Sequence, residues 1–182
     1  MSTEISDSQR YPIGRFQRPA QYDAGALPDW IQSIAQLPET LAALLATMPA
    51  GSLEVPYREG GWNTRQLIHH LADSHMNAFI RFQLAITEEE PVIKPYLENR
   101  WAEQPVYALA PEVSLQLLRA LHARWTYLLQ HLETAQWSRV YIHPEFGKRF
   151  ALYEVLALYA WHGQHHTAHI RLARKAAGLS HS

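Results

Sequence analysis

The order of apolar and polar residues follows the helical period in four long stretches of this chain. Within each stretch, apolar residues recur every three or four positions, which is typical of a helix with one face against a protein core. In the first stretch, Ile31, Ile34, Leu37, Leu41 and Leu45 share one face in this way. The pattern predicts four helices, at about residues 28–48, 63–87, 111–133 and 152–176.

Residues typical of helix ends stand at the borders of these stretches. Asn63 is followed three residues later by Gln66, which is the pattern of a capping box at the start of the second helix. Pro111 suits the first turn of the third helix, because the N–H that proline lacks has no partner there in any helix. Gly178 follows the fourth stretch, where glycine commonly ends a helix.

The segments between these helices differ in length and composition. Residues 1–25 are polar, contain two prolines and are predicted to form an extended arm over the domain. The connections 91–111 and 135–149 are long for a compact protein, and loops of such length are often functional. Four long amphipathic helices with two long loops predict an all-α four-helix bundle, formed by residues 1–182 as a single domain.

Composition excludes several classes of protein. The net charge is −1 and the chain has no run of lysine or arginine, so it does not resemble a nucleic-acid-binding protein. Its apolar runs are too short to span a bilayer, and its polar start does not resemble a signal peptide. The absence of cysteine excludes disulfides and cysteine catalysis. We expect a cytoplasmic protein that acts on a small molecule, with no nucleic-acid or membrane partner.

Two of the 11 histidines have the spacing of metal ligands. His162 and His166 are four residues apart, so on a helix they lie one above the other. An imidazole from another helix would complete a site with three protein ligands and one open position, as in catalytic zinc sites. Spacing alone is weak support, because about one such pair is expected by chance at this density. Gly163 stands where a metalloprotease helix carries its glutamate, which excludes that class.

The faces on which these histidines lie add to the spacing. His162 and His166 fall on the apolar face of the predicted fourth helix, and His70 falls on the apolar face of the second. Helical bundles build metal sites from side chains on facing helices. Three imidazoles in an apolar interior are costly unless they bind something. We therefore expect His70, His162 and His166 to converge if the two helices face each other.

Polar residues near the histidine pair of the second helix leave alternatives open. Asp73 lies one turn from His69, so the two can pair on the helix surface. Asp73 can equally form a hydrogen bond with a metal-binding imidazole and so fix the orientation of its ring. His165 is predicted to point away from the apolar face of its helix, into solvent.

Further polar residues continue the two inward faces. His169 is either a core histidine or a group that orients a ligand. Asn77 and Arg81 continue the face of His70 by one and two more turns. An inward arginine is commonly an ion-pair partner and less commonly an anchor for a substrate carboxylate.

Several motifs together resemble the YfiT-type branch of the DinB-like superfamily. The similarity begins at YPIG, residues 11–14, and covers nearly the whole chain. Its motifs are YREGGWNTRQ at 57–66, HHLADSHMN at 69–77, IRF at 80–82, KPY at 94–96, LHARW at 121–125, HPE at 143–145, LYAWH at 158–162 and HHTAHI at 165–170.

The resemblance implies a fold and a metal site. It implies an up-down-down-up four-helix bundle with long loops around the site, assembled as a homodimer. It also implies one divalent transition metal per chain, zinc or nickel, held by His70, His162 and His166, the same three residues that the helix faces select. Further positions typical of the branch, expected to line the cavity, are Asp73, Asn77, Arg81, Glu98 and His143.

The resemblance also implies a metal-dependent enzyme, and two reactions suit such a site. The first is hydrolysis by a metal-activated water, with Glu98 or His143 as candidate base. The second is transfer of a low-molecular-weight thiol, such as bacillithiol or mycothiol, to an electrophile; a chain without cysteine must take its sulfur from a co-substrate. A fourth ligand from His143 or His169 would instead close the site and favour a non-catalytic metal-binding bundle, such as a stress-response protein.

Overall fold

The computed structural model describes residues 7–179, and four long helices form most of it. Each of the four predicted helices is present, and the last has the predicted bounds. None of the helices in this range is long and apolar enough to cross a membrane. The helices are α1 (Asp7–Arg10), α2 (Leu27–Ala46), α3 (Thr64–Thr87), α4 (Glu98–Trp101), α5 (Pro111–Gln130) and α6 (Leu152–Ala176).

The predicted helix ends are confirmed in detail. The Oδ1 of Asn63 accepts a hydrogen bond from the Gln66 backbone N–H at 2.9 Å, and the Oε1 of Gln66 accepts one from the Asn63 N–H at 3.1 Å. This capping box satisfies two of the N–H groups that a helix start leaves without partners. Pro111 is the first residue of α5, and Gly178 has a φ of 78° just after α6.

The four long helices run up, down, down and up, as predicted. His69 near the start of α3 bonds Ser114 near the start of α5, and Phe82 farther along α3 contacts Trp125 of α5. These two helices are therefore parallel, which requires the long connection between them. Contacts at the neighbouring interfaces place α2 antiparallel to α5 (Ile34 with His122, Glu39 with Arg119) and α6 antiparallel to α3 (His75 with Tyr159, His70 with His162).

The core consists of two apolar clusters with a belt of histidines between them. One cluster is centred on Phe82, Trp125 and Leu156, and the other on Leu41 and Leu67. Their burial supplies the main stabilisation of the bundle. The histidine side chains thus lie in the middle of the bundle, between the two apolar clusters.

The connection 135–149 is not a plain loop, and this part of the prediction was wrong. It contains an antiparallel hairpin of β1 (Val140–His143) and β2 (Lys148–Ala151), whose turn includes Gly147 with a φ of 56°. The first long connection joins this hairpin, because Ile93 donates to the carbonyl of Ile142 at 3.0 Å. Strands of four residues are too short to show a clear alternating pattern.

The N-terminal arm follows the start and the middle of α6. It contains the short helix α1, where the sequence predicted an extended segment, and its first six residues lie outside the described range. Arg18 forms a two-point ion pair with Glu154, at 2.8 and 2.7 Å, in the first turn of α6. Phe16 packs against Trp161, with ring centroids 5.9 Å apart. The arm therefore lies beside the helix that carries the histidine motif.

Candidate metal centre

Three histidines from two helices meet in the middle of the bundle. His70 lies on α3, and His162 and His166 lie one turn apart on α6. One ring nitrogen from each lies within 4.8 Å of the others, and the Nε2 atoms of His70 and His162 are 3.2 Å apart. Two nitrogens bound to one tetrahedral zinc at about 2.0–2.1 Å are about 3.3 Å from each other. The donor atoms and their spacing therefore fit one transition-metal ion.

Burial keeps these imidazoles in the form that binds a metal. His70 is 2% exposed, and burial lowers its pKa to about 4. Burial also lowers the pKa of His162 and His166 well below the ordinary value, and repulsion among the neighbouring imidazoles lowers it further. All three rings are therefore neutral near pH 7, and a neutral imidazole offers the lone pair that a metal needs.

A series of hydrogen bonds behind His162 sets the position of its single proton. The Nδ1 of His122 lies 2.6 Å from the carbonyl oxygen of Ile34, which can only accept, so this nitrogen carries the proton. His122 Nε2 then accepts from His75 Nδ1 at 3.1 Å, and His75 Nε2 accepts from His162 Nδ1 at 3.3 Å. The lone pair of His162 is therefore on Nε2, toward His70. We call His162, His75 and His122 the inner histidine series.

A second series has the same effect on His166. The Nε2 of His169 lies 3.3 Å from the carbonyl oxygen of Arg10 and must donate to it. Its Nδ1 therefore accepts from His166 Nδ1, also at 3.3 Å, and the lone pair of His166 is on Nε2. We call His166 and His169 the outer histidine series. His70 has no such support, because its Nδ1 has no hydrogen-bond partner within residues 7–179.

His75 and His122, which are 0% and 1% exposed, were not predicted to be part of the site. The apolar pattern gave each helix one inward face, but a helix in a bundle contacts two neighbouring helices. His75 lies about 100° around α3 from Ser74 and faces α5. The signal was present, since LHARW places His122 at a helical spacing from the buried residues Leu118 and Trp125.

The prediction of an exposed His165 was wrong, and of the two alternatives left open near His69 the surface pair with Asp73 is excluded. His165 is buried rather than exposed, because the N-terminal arm covers it and Tyr11 lies 6.1 Å from its ring. His69 does not pair with Asp73 at the surface. It is buried between α3 and α5, where its ring nitrogens bond Ser114 at 2.7 Å and the Leu109 carbonyl at 3.0 Å.

Aromatic rings and a glycine shape the walls around the three imidazoles. The Trp62 ring lies 4.6 Å from the His70 ring, and Tyr57 stacks on His169 at 3.9 Å. Gly163 faces α2, where a Cβ atom would come within 2.8 Å of Leu37. The glycine therefore permits close packing of two helices at the level of the histidines, and a side chain there would point away from them.

Two cavities share Glu98 and Asn99 as lining residues. The larger, about 590 Å³, is lined by Ser74 and Arg81 of α3, by Tyr159 of α6 and by residues of the two long connections. The smaller, about 360 Å³, is lined by His166 and bordered by the arm and the Tyr57 loop. A small molecule in the smaller cavity therefore reaches one of the three candidate ligands, and the larger cavity comes within one turn of His70 on α3, at Ser74.

The two candidate bases both line the larger cavity. Burial raises the pKa of the Glu98 carboxyl, so it holds a proton more readily than an ordinary glutamate. Burial lowers the pKa of His143, and the positive charge of Arg81 lowers it further. The shift of Glu98 brings its pKa toward neutral pH, where a group can both accept and release a proton, whereas the shift of His143 keeps that imidazole neutral and makes it a weaker base.

Asp73 and Asn77 make contacts of their own. Asp73 accepts a hydrogen bond from the Tyr107 hydroxyl at 2.7 Å, and burial raises the pKa of its carboxyl. The Asn77 amide donates to the Asp73 carbonyl at 2.8 Å, within the same helix. The bond to Tyr107 attaches the first long connection to α3, and neither Asp73 nor Asn77 is among the residues that line the two cavities.

A second group of three histidines shares one member with the first. His165, His166 and His169 also place one ring nitrogen each within 4.8 Å of one another. His169, however, donates its proton to the Arg10 carbonyl and accepts a hydrogen bond from His166, so it has no lone pair left for a metal. The group that includes His70 is therefore the better candidate for a metal.

A four-helix bundle with histidines gathered from facing helices defines a class of metal-binding bundle. This chain belongs to the DinB superfamily, whose family model matches residues 33–170. It is 46% identical to a Bacillus licheniformis protein over 94% of this chain and 98% of the relative. It is 48% identical to a Halalkalibacterium halodurans protein over 90% of this chain and 95% of the relative. Both relatives carry the name "Putative metal-dependent hydrolase".

Solved structures show the same fold. YfiT from Bacillus subtilis, described as a probable metal-dependent hydrolase with an unusual four-helix bundle topology, matches with a TM-score of 0.91 at 42% identity, over 95% of this chain and 99% of YfiT. The mycothiol-dependent maleylpyruvate isomerase matches with a TM-score of 0.64 at 19% identity, over 79% of this chain and 60% of that one. The second match shows a shared fold.

Proposed function

We propose that this protein is a metal-dependent hydrolase whose divalent ion, zinc or nickel, is held by His70, His162 and His166. One observation carries the proposal: three neutral imidazoles with converging nitrogens lie inside the bundle, and one of them, His166, lines a cavity of about 360 Å³. A site with three protein ligands leaves one position open, which is the arrangement of catalytic centres. The names of the relatives support the same class of reaction.

The protein's own side chains prepare the site before any substrate arrives. Through His75 and His169, the two histidine series keep the protons of His162 and His166 on Nδ1, so that each Nε2 is free to bind. A divalent ion bound there lowers the pKa of a coordinated water toward 7 and supplies the nucleophile. Trp62 shields one side of His70 from solvent.

Glu98 is the better of the two candidate bases. It lines both cavities, including the one that His166 lines, so it is within reach of a molecule in either one. Its carboxylate can accept the proton of the attacking water and deliver it to the leaving group, and its raised pKa suits both steps. His143 lies at the outer part of the larger cavity, where its ring packs against Phe146 at 4.5 Å.

Transfer of a low-molecular-weight thiol is the second candidate reaction. The observation that favours it is that two cavities share Glu98 and offer room for two different molecules. The smaller cavity contains Arg10 and Arg58, whose charges suit an acidic thiol. The chain has no cysteine, so the sulfur must come from such a co-substrate.

The first experiment measures metal content by plasma mass spectrometry on tag-free protein. We expect about one ion per chain in the wild type and its loss in His166→Ala. His131→Ala is the matched control, because His131 is an exposed histidine that bonds only the Tyr127 carbonyl in the described structure. Wild-type protein that retains no ion after reconstitution would overturn the proposal.

The second experiment separates the reactions in the loaded protein. Release of nitrophenol from simple esters without a thiol, lost in His166→Ala, supports hydrolysis. Product that forms only when a bacillithiol-type thiol and an electrophile are both present supports thiol transfer instead. A bound ion with neither activity would favour a non-catalytic metal-binding bundle.

A further inference from the structure

Arg81 is a buried cation without a counter-ion. It is 8% exposed, on the face of α3 that also carries His70. Its guanidinium donates to the carbonyl of Lys94 at 3.3 Å and bonds the Tyr141 hydroxyl. Both partners are neutral. No carboxylate within residues 7–179 lies within 4.0 Å of it.

Seven other arginines show the opposite relation between burial and pairing. Each of these seven pairs with a carboxylate, and their side chains are between 29% and 74% exposed. Water alone would satisfy those charges. A buried guanidinium loses that solvation and is costly unless an anion replaces it. Arg81, the buried arginine of the described residues, thus lacks the counter-ion that these more exposed arginines have.

The position of Arg81 indicates where that anion comes from. Arg81 lines the larger cavity, whose inner part is formed by Ser74 and by Tyr159, the latter 5.6 Å from the His162 ring. Eleven residues separate Arg81 from His70, which is about three turns and 16 Å of helix. A molecule that fills the cavity therefore contacts the guanidinium at one end and, at the other, the side chains next to His70 and His162.

The surroundings select the kind of anion. Glu98 and Glu145 also line the cavity, so a multiply charged anion such as a phosphate would be repelled. A carboxylate carries one charge, and its two oxygens match the two parallel N–H groups of a guanidinium. Arg100, the other arginine of this cavity, is exposed and lies 3.6 Å from Glu103, so its charge is already compensated.

We propose that Arg81 binds a carboxylate of the substrate, which is therefore an ester or amide with a carboxylate several bonds from the bond that is cleaved. This inference rests on the proposed hydrolysis for the identity of the reacting bond. The carboxylate fixes the far end of the molecule, and the reacting carbonyl is thereby held at the histidines.

The experiment uses two matched substrates on the metal-loaded protein. One is the mono-nitrophenyl ester of adipic acid, and the other is the same compound with its free carboxylate replaced by a methyl ester. We expect wild type to cleave the first with a kcat/KM about 10- to 100-fold higher than the second, and Arg81→Met to cleave the two with nearly equal kcat/KM, whatever its overall activity. Arg100→Met is the control and should retain the preference.

A binding measurement separates this inference from the proposed hydrolysis. Monomethyl adipate and dimethyl adipate are titrated calorimetrically into wild type, Arg81→Met and Arg81→Lys. If no ester is cleaved but wild type alone binds the carboxylated compound tightly, the hydrolase proposal fails and the Arg81 site stands. The Arg81 site is overturned if wild type cleaves the charged and neutral esters with equal kcat/KM and binds the charged and neutral adipates with equal affinity. This outcome requires no variant.

Discussion

The two histidine series perform the same task in different surroundings. The inner series runs from His162 through His75 and His122 and ends on the carbonyl of Ile34 in α2, so it joins the four long helices of the bundle. The outer series passes through His169 and ends on the carbonyl of Arg10 in the N-terminal arm. The inner series is part of the fold, whereas the outer series depends on a segment added at the surface.

Because of this difference, we expect the two series to differ in how much they affect the stability of the protein and its affinity for a metal ion. Breaking a buried series leaves polar atoms without partners in the core, so it lowers both the stability of the protein and the affinity for the ion. The outer series borders the smaller cavity, so water can reach its atoms there and replace the lost bonds. The outer series should therefore affect the ion much more than the fold.

The largest effect is expected from His75→Leu. This change removes the acceptor of His162 and leaves the Nε2 of His122 without a donor in the core. We expect the free energy of unfolding to fall by about 1–3 kcal/mol, and metal affinity to fall about 10- to 100-fold. Denaturant unfolding and competition with a chelator measure the two effects.

The amide variant His75→Gln serves as the control for His75→Leu. A glutamine can accept from one neighbour and donate to the other, so it should recover part of both losses. If His75→Leu binds the ion as tightly as wild type, the inner series does not orient His162.

A smaller and more selective effect is expected from His169→Phe. The phenyl ring keeps the stacking with Tyr57 but cannot accept from His166 or donate to Arg10. We expect about tenfold weaker metal binding with a melting temperature close to that of wild type. Equal loss of stability in this variant and in His75→Leu would contradict the distinction between the two series.

An effect confined to pH values below 6.5 concerns the pH dependence of the metal-free protein. Burial lowers the pKa of His122 to about 4, against 6.5 for the free side chain. Between these values the unfolded chain takes up a proton that the folded protein refuses, so stability falls as the pH falls from 6.5 to 4. His122→Gln removes this contribution, and the slope of stability against pH should decrease by up to about 1.4 kcal/mol per pH unit. Urea titrations at several pH values test it, and an unchanged slope would show that His122 takes up its proton freely.

Sequence patterns predicted the bundle well because its helices are long. Over twenty residues the recurrence of apolar positions is unambiguous, and end signals such as Asn63 and Gly178 act locally. The His70, His162 and His166 group could be predicted in the same way, since the spacing of residues and the face on which they lie are both properties of a single helix. The four-residue strands of the hairpin gave no comparable signal, because their pairing depends on residues elsewhere in the chain.

The sequence by itself determined the four helices, their order and the face on which each histidine of the candidate site lies, because these depend on interactions between residues a few positions apart. Three features were decided only by the tertiary structure. A second face of α3 packs against α5, the arm covers His165, and Arg81 is buried without an anion. Those features depend on which distant segments pack together. They determine where protons and charges reside, since a hydrogen-bond partner or a counter-ion is supplied by another element of the fold.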